Sequence, residues 1–156
     1  MRFPFARPQA FGAIILSAVA PNTILIRHAD VNPGGDGDPP LNAAGTARAK
    51  QLRRVLGDAH ISAIFVSERQ RTQLTAKPLA AHLGLSPEEI GDEAGTVAAI
   101  RALPSAATVL VIGHTTTLPD ICAGLGGPAL PAIGPIEFDH LFIQTGKRVT
   151  HLRYGR

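Results

Sequence analysis

Four side chains in this sequence could together do chemistry on an oxyanion: Arg27, His28, Arg71 and His114. Two guanidiniums offer forked, permanently charged donors that match phosphoryl oxygens, and two imidazoles add a nucleophile or further donors. Converging, the four make a pocket for a doubly charged group, most simply a phosphoryl group. None of them has an obvious packing purpose where it stands.

Convergence depends on the elements that carry them. Thr23 to Ile26 is a short β-branched and apolar run, read as a buried strand, and it ends abruptly on Arg27-His28. Ala107 to Gly113 is a second such run and leads straight into His114 and Thr115-Thr116-Thr117. A third, Ile61 to Val66, ends at Ser67 and is followed within one helical turn by Arg69 and Arg71. In a parallel sheet these carboxyl ends share one edge, where open α/β folds place ligands. Arg71 would lie in the first turn of a helix over Arg69–Leu83, where backbone N–H groups and the helix dipole favour an anion. Arg69, off that face, is expected to be solvated.

The same segments resemble the histidine phosphatase superfamily, the phosphoglycerate-mutase-like enzymes. Arg27-His28-Ala29 is similar to its RHG signature, in an RHA form. Asp38 to Gly45 is similar to its L-T-x-x-G segment, with Asn42 in place of Thr. Ser67 to Ala76 resembles S-x-x-x-R-x-x-Q-T-A, with Leu74 where Gln is usual, and Val111-Ile112-Gly113-His114 matches V-G-H. The resemblance spans roughly residues 22 to 155, with the segments in the family's order. It implies that His28 is the nucleophile, forming a phosphohistidine that water hydrolyses. Arg27, Arg71 and His114 would then bind the phosphoryl oxygens and stabilise the transition state. No metal or other cofactor is required, because the guanidiniums supply the charge that Mg²⁺ supplies elsewhere.

A leaving group also needs a proton donor. Asp92 and Glu93 lie in a loop where some family members carry their acid, and Asp30, two residues past His28, is a third candidate. The lack of a clear acid glutamate and of long insertions favours a phosphatase over a mutase. The short chain resembles the phosphohistidine-phosphatase branch. The expected activity is therefore metal-independent hydrolysis of a phosphomonoester or phosphoramidate, carried on a small molecule or a phosphoprotein. A non-catalytic phosphate- or phosphoprotein-binding domain, a protein whose fold serves partner binding, and a phosphoglycerate-mutase-type phosphotransferase are the alternatives.

A chain of 156 residues, 45% hydrophobic and 17% charged, is one domain's worth of globular protein. Its pI near 9.6 suggests nucleic acid. Setting aside Arg2 and Arg7, however, leaves 13 basic against 12 acidic side chains, no footprint for DNA. With aromatics at 4% and no Trp, base stacking is also a poor expectation. Arg2 and Arg7, the apolar run Ala10 to Leu16 and the small residues Ala18-Val19-Ala20 read as a secretory signal over 1–20. That leaves a single domain over 21–156, periplasmic or secreted, with no stable membrane association after processing; a cytoplasmic protein is the alternative. The single Cys122 cannot form an intramolecular disulfide and fits either compartment.

Repeated strand–helix units predict a three-layer α/β/α sandwich with a mainly parallel sheet. Asn42 is expected to cap a helix reaching Leu56, with Gly57 beyond it. Pro78 should kink or split the Arg69–Leu83 helix. Ser86-Pro87-Glu88-Glu89 has the form of a capping box, Gly91 to Gly95 reads as a loop, and Thr96 to Leu103 as a helix. Glu137–Gln144 and Arg148–Tyr154 alternate as an antiparallel edge hairpin. The Gly/Pro/Asp-rich loop 32–40 should border the site, and its aspartates lack calcium-loop spacing. His60, His82, His140 and His151 show no metal-ligand spacing and are expected to be surface or structural.

Overall fold

The computed structural model describes residues 19–34 and 37–155. The secretory signal expected over 1–20 therefore falls almost wholly outside the described residues, as does Asp36. The elements run β1 (Asn22–Arg27), α1 (Ala43–Leu56), β2 (Ala63–Val66), α2 (Gln70–Leu83), β3 (Glu88–Glu89), α3 (Glu93–Arg101), β4 (Thr108–Gly113), α4 (Leu118–Gly124), β5 (His140–Thr145) and β6 (Arg148–Arg153). One six-stranded sheet has the order β3-β2-β4-β1-β5-β6. The first four are mutually parallel, and β5 and β6 add the antiparallel hairpin. No helix among the described residues is long and apolar enough to cross a membrane.

Strand alternation builds the layers. Ile24, Ile26, Ile64, Val66, Leu110 and Ile112 point to one face and pack with Leu52 and Leu56 of α1 and Leu79 of α2. Leu25, Phe65, Val109 and Val111 point to the other and meet Ile100 of α3 with Leu118 and Ile121 of α4. Because both faces are covered, the strands read as continuous apolar runs.

The connections reverse direction at the centre of the sheet. From β1 the chain crosses to β2, on the far side of β4, whereas from β4 it passes to β5, beside β1. The carboxyl ends of β1 and β4 are thus neighbours at a topological switch point, with Arg27 opposite Gly113. His28 N extends the ladder by donating to Gly113 O at 3.0 Å.

Several local expectations are corrected. Of the kink or split expected at Pro78 the split does not occur: α2 continues past the proline as one element, with Thr75, Ala76, Leu79 and Ala80 on either side of it buried. Glu88-Glu89 does not open a helix; it is a two-residue edge strand paired with Phe65 and Val66. The cap lies further on, where Asp92 Oδ1 accepts from Gly95 N and α3 begins at Glu93, three residues before the expected Thr96. Gly57 is the C-cap of α1 with φ −57°, and the positive φ of that connection falls on His60 at 53°. Asn42 does cap α1, its Oδ1 accepting from Gly45 N at 2.9 Å. Gly45 is required for packing, because a Cβ there would collide with the backbone oxygen of Asp30. That close approach fixes α1 against the segment just after His28.

Candidate active site

His28 stands where β1 ends, and its side chain is only 4% exposed. Its ring lies between His114, at 5.3 Å between centroids, and Phe138, at 5.7 Å. Nδ1 is 2.8 Å from Ala29 O, an acceptor only, so Nδ1 carries the hydrogen and Nε2 keeps its lone pair. The segment is held from α2 as well, with Ala29 N donating to Thr75 Oγ1 at 2.8 Å.

Arg27 is fixed by its backbone surroundings. Its Nη1 donates to the carbonyl oxygens of Gly134, Pro135 and Glu137 at 2.9 to 3.1 Å. The guanidinium carbon stands 4.0 Å from the centre of the Phe138 ring, a cation–π contact. Its Nε is buried without a hydrogen-bond partner. A buried, unpaired guanidinium donor is costly unless an anion comes to it.

Arg71 is the second residue of α2. Its Nη1 approaches Gly37 O and Asp38 Oδ1, each at 3.4 Å, and its Nη2 approaches His114 Nδ1 at 3.4 Å. Loop 32–40 thus borders the site, as its position suggested. Asp38 also accepts from Gln70 N at 3.0 Å, so its carboxylate is the anion at the α2 terminus. Arg71 accordingly offers its guanidinium, and the helix end is already occupied.

His114 belongs to a directed network. Since Nδ1 accepts from Arg71, Nε2 carries the hydrogen and donates to Ser67 Oγ at 2.9 Å. Ser67 Oγ lies 3.1 Å from Thr72 Oγ1, which donates to Arg69 O at 2.8 Å. Thr117 Oγ1 holds the backbone, accepting from His114 N at 3.0 Å.

Electrostatics set the charge state. Burial, reinforced by the positive charges of Arg27 and Arg71, pushes the His28 imidazole down to about 4. Burial and then Arg71 push His114 down to about 4 as well. Burial also lowers Arg27, with Arg71 adding repulsion. The site is therefore two neutral imidazoles beside two guanidiniums, a net positive pocket with His28, its Nε2 lone pair uncommitted, among the lining residues. Histidine NMR should show both rings neutral at pH 6 and titrating near 4. Unfolded histidines bind protons near 6.5, so these two groups contribute stability above that value and lose it as pH falls towards 4. A titration of His28 near 6.5 in the free protein would remove this account of its nucleophilicity.

The three acid candidates separate. Asp30 is engaged elsewhere: Arg48 grips both its oxygens, Nε to Oδ2 at 2.6 Å and Nη2 to Oδ1 at 3.3 Å. The pair ties α1 to the segment after β1 and leaves Asp30 no part as a donor. Asp92 is exposed and caps α3. Glu93, half-buried in the first turn of α3, borders with Asp92, Ser67, His114 and Thr117 a small cavity of about 50 Å³. Glu68, which the sequence reading passed over, lines a depression of about 410 Å³ with Arg27, His28, Arg71 and His114. Arg69 lines it too and pairs with Glu68 at 3.2 Å, its side chain staying 44% exposed as expected of a solvated residue.

Other contributors were missed. Gly134 to Phe138 cradles Arg27, and Ser67 orients His114; Thr75 had been read only as part of a motif. The hairpin histidines are structural, with His151 Nε2 3.0 Å from His140 Nδ1 and Glu137 Oε2 3.2 Å from His140 Nε2. Among the described residues no three His, Cys, Asp or Glu side chains cluster as metal ligands.

Comparison with known proteins agrees with this fold. No curated protein sequence matches. Among solved structures, the protein histidine phosphatase SixA complexed with tungstate superposes with TM-score 0.66 at 21% identity, covering 86% of this chain and 96% of that one. A mycobacterial glucosyl-3-phosphoglycerate phosphatase superposes with TM-score 0.61 at 14% identity, covering 87% and 99%. A protein described as mycobacterial hydrolase 2 gives 0.61 at 15%, covering 88% and 91%. At such identities the likeness establishes the fold. Residues 23–92 match the family model of the histidine phosphatase superfamily (branch 1).

Proposed function

We propose that the protein is a phosphatase that hydrolyses a phosphomonoester or phosphoramidate through a phosphohistidine at His28. The observation that carries this is the state of His28. Its Nδ1–H is committed to Ala29 O, its ring is held neutral, and its Nε2 lone pair faces a pocket bounded by two guanidiniums. In the first step Nε2 attacks phosphorus, a P–N bond forms, and the bond to the leaving oxygen or nitrogen breaks. The leaving atom takes a proton from a carboxyl group beside His114, for which Glu93 and Glu68 are the residues in place. Water then attacks phosphorus from the side the leaving group vacated and gives its proton to the same carboxylate, while the P–N bond breaks and the electron pair returns to Nε2. Arg27 Nε and the Arg71 fork neutralise the equatorial oxygens as charge spreads in the transition state. That a SixA structure holds tungstate, an oxyanion of similar shape, supports oxyanion binding in a fold of this kind.

The purified protein should hydrolyse p-nitrophenyl phosphate, and EDTA should leave the rate unchanged because the guanidiniums carry the charge. Absence of turnover on this ester and on phosphoramidate would defeat the proposal. Loss of activity on chelation, restored by one added metal, would defeat the metal-independent mechanism.

A further inference from the structure

The site is open on two flanks of unlike chemistry. One is the polar depression with Glu68, Arg69 and Thr115 to Thr117. The other, of about 360 Å³, shares Arg27, His28 and Arg71 with it but is otherwise walled by Val31, Pro33, Pro39, Pro135, Ile136 and Phe138, together with Asn32 and two glycines. Among the described residues no further charged side chain enters this second wall.

Ile136 gives that wall its meaning. It is 86% exposed, the most exposed large hydrophobic side chain among the described residues. It does not sit on a loose loop. The carbonyls of Gly134, Pro135 and Glu137 are held by Arg27, and Gly134 N donates to Glu137 Oε2 at 2.7 Å. Antiparallel β5 starts beside the end of β1, which brings residues 134–139 to the edge carrying His28. The turn that positions Arg27 therefore also holds a bare isoleucine at a fixed place on the rim of the phosphate pocket.

We infer that this collar receives the organic part of the substrate, and that the enzyme's substrates are phosphate esters or amides with an apolar alkyl or aryl substituent. The inference rests on the phosphatase reading above and deepens it. A leaving atom between the flanks takes its proton from the polar side while its substituent lies on the proline- and isoleucine-lined side. A sugar acid or polyol, which needs hydrogen-bond partners along its length, finds few there.

The test uses n-alkylphosphonates from methyl to hexyl as inhibitors, a ladder in which only apolar length changes and no turnover of the probe is needed. Inorganic phosphate is run alongside. Removing a methylene from water should lower the inhibition constant about fourfold per carbon until the collar is filled. Ile136→Ser should reduce that slope by at least half, and because the slope is a ratio within one protein sample, partial unfolding of the variant does not affect it. A flat ladder with phosphate still inhibiting would overturn the collar assignment and leave the phosphatase reading standing. A slope undiminished by Ile136→Ser would also overturn it. Failure of phosphate and every phosphonate to bind would instead sink the phosphatase reading and this inference with it.

Discussion

His28→Ala is expected to lower kcat by about four orders of magnitude or more, since the other imidazole on the carboxyl edge, His114, has both ring nitrogens engaged by Arg71 and Ser67. Acid-labile phosphate should be trapped on the wild-type protein in the presence of substrate and be absent from the variant. The substitution will also cost stability. As a strand-end residue His28 could be taken for one with little packing, yet it is buried against Phe138 and His114, so the alanine leaves a gap. A loss of about 1–2 kcal/mol is expected, and thermal unfolding should separate it from the catalytic loss. The useful comparison is thus residual activity per folded molecule. A folded His28→Ala protein with near-native turnover would end the covalent mechanism.

What was legible beforehand divides along physical lines. Strands β1, β2 and β4 are buried on both faces, so each leaves an uninterrupted apolar run, and each runs into a polar or charged residue at the carboxyl edge of the sheet. Placing Arg27, His28, Arg71 and His114 together required only that the sheet be parallel. The stretch 86–106 was less legible because local propensity there competes with pairing. Glu88 and Glu89 match a helix start in sequence, but the edge of β2 offers them a ladder, and tertiary contact wins. Asp30 illustrates a different limit. Two residues from His28 it reads as an acid, and only the fold reveals that Arg48, eighteen residues on, has already claimed it. The cradle for Arg27 left little side-chain signature, because apart from the Phe138 ring it is made of carbonyl oxygens from 134–137 and reaches the site through the reversal of β5.

Arg71 and His114 distinguish a catalyst from a binder. In the resting site Arg71 Nη2 leans on His114 Nδ1 at 3.4 Å, a long contact that a phosphoryl group can displace. Once Arg71 turns to the oxyanion, His114 Nδ1 is free to change from acceptor to donor. Ser67 permits this: it accepts from Nε2–H in the resting tautomer, and its hydroxyl can donate to Nε2 in the other. Both side chains would then meet the phosphoryl oxygens, most strongly when the group flattens in the transition state. Arg71→Ala and His114→Ala should each lower kcat about a hundredfold or more, with smaller effects on phosphate affinity. Because the two touch, the double variant should lose less than the product of the single losses. Vanadate, which adopts five-coordinate geometry, should bind the wild type more tightly than phosphate does, and each single variant should narrow that ratio. Equal binding of vanadate and phosphate, with no turnover on any phosphoester or phosphoramidate, would show that the charges serve the ground state alone and that the protein is a binder.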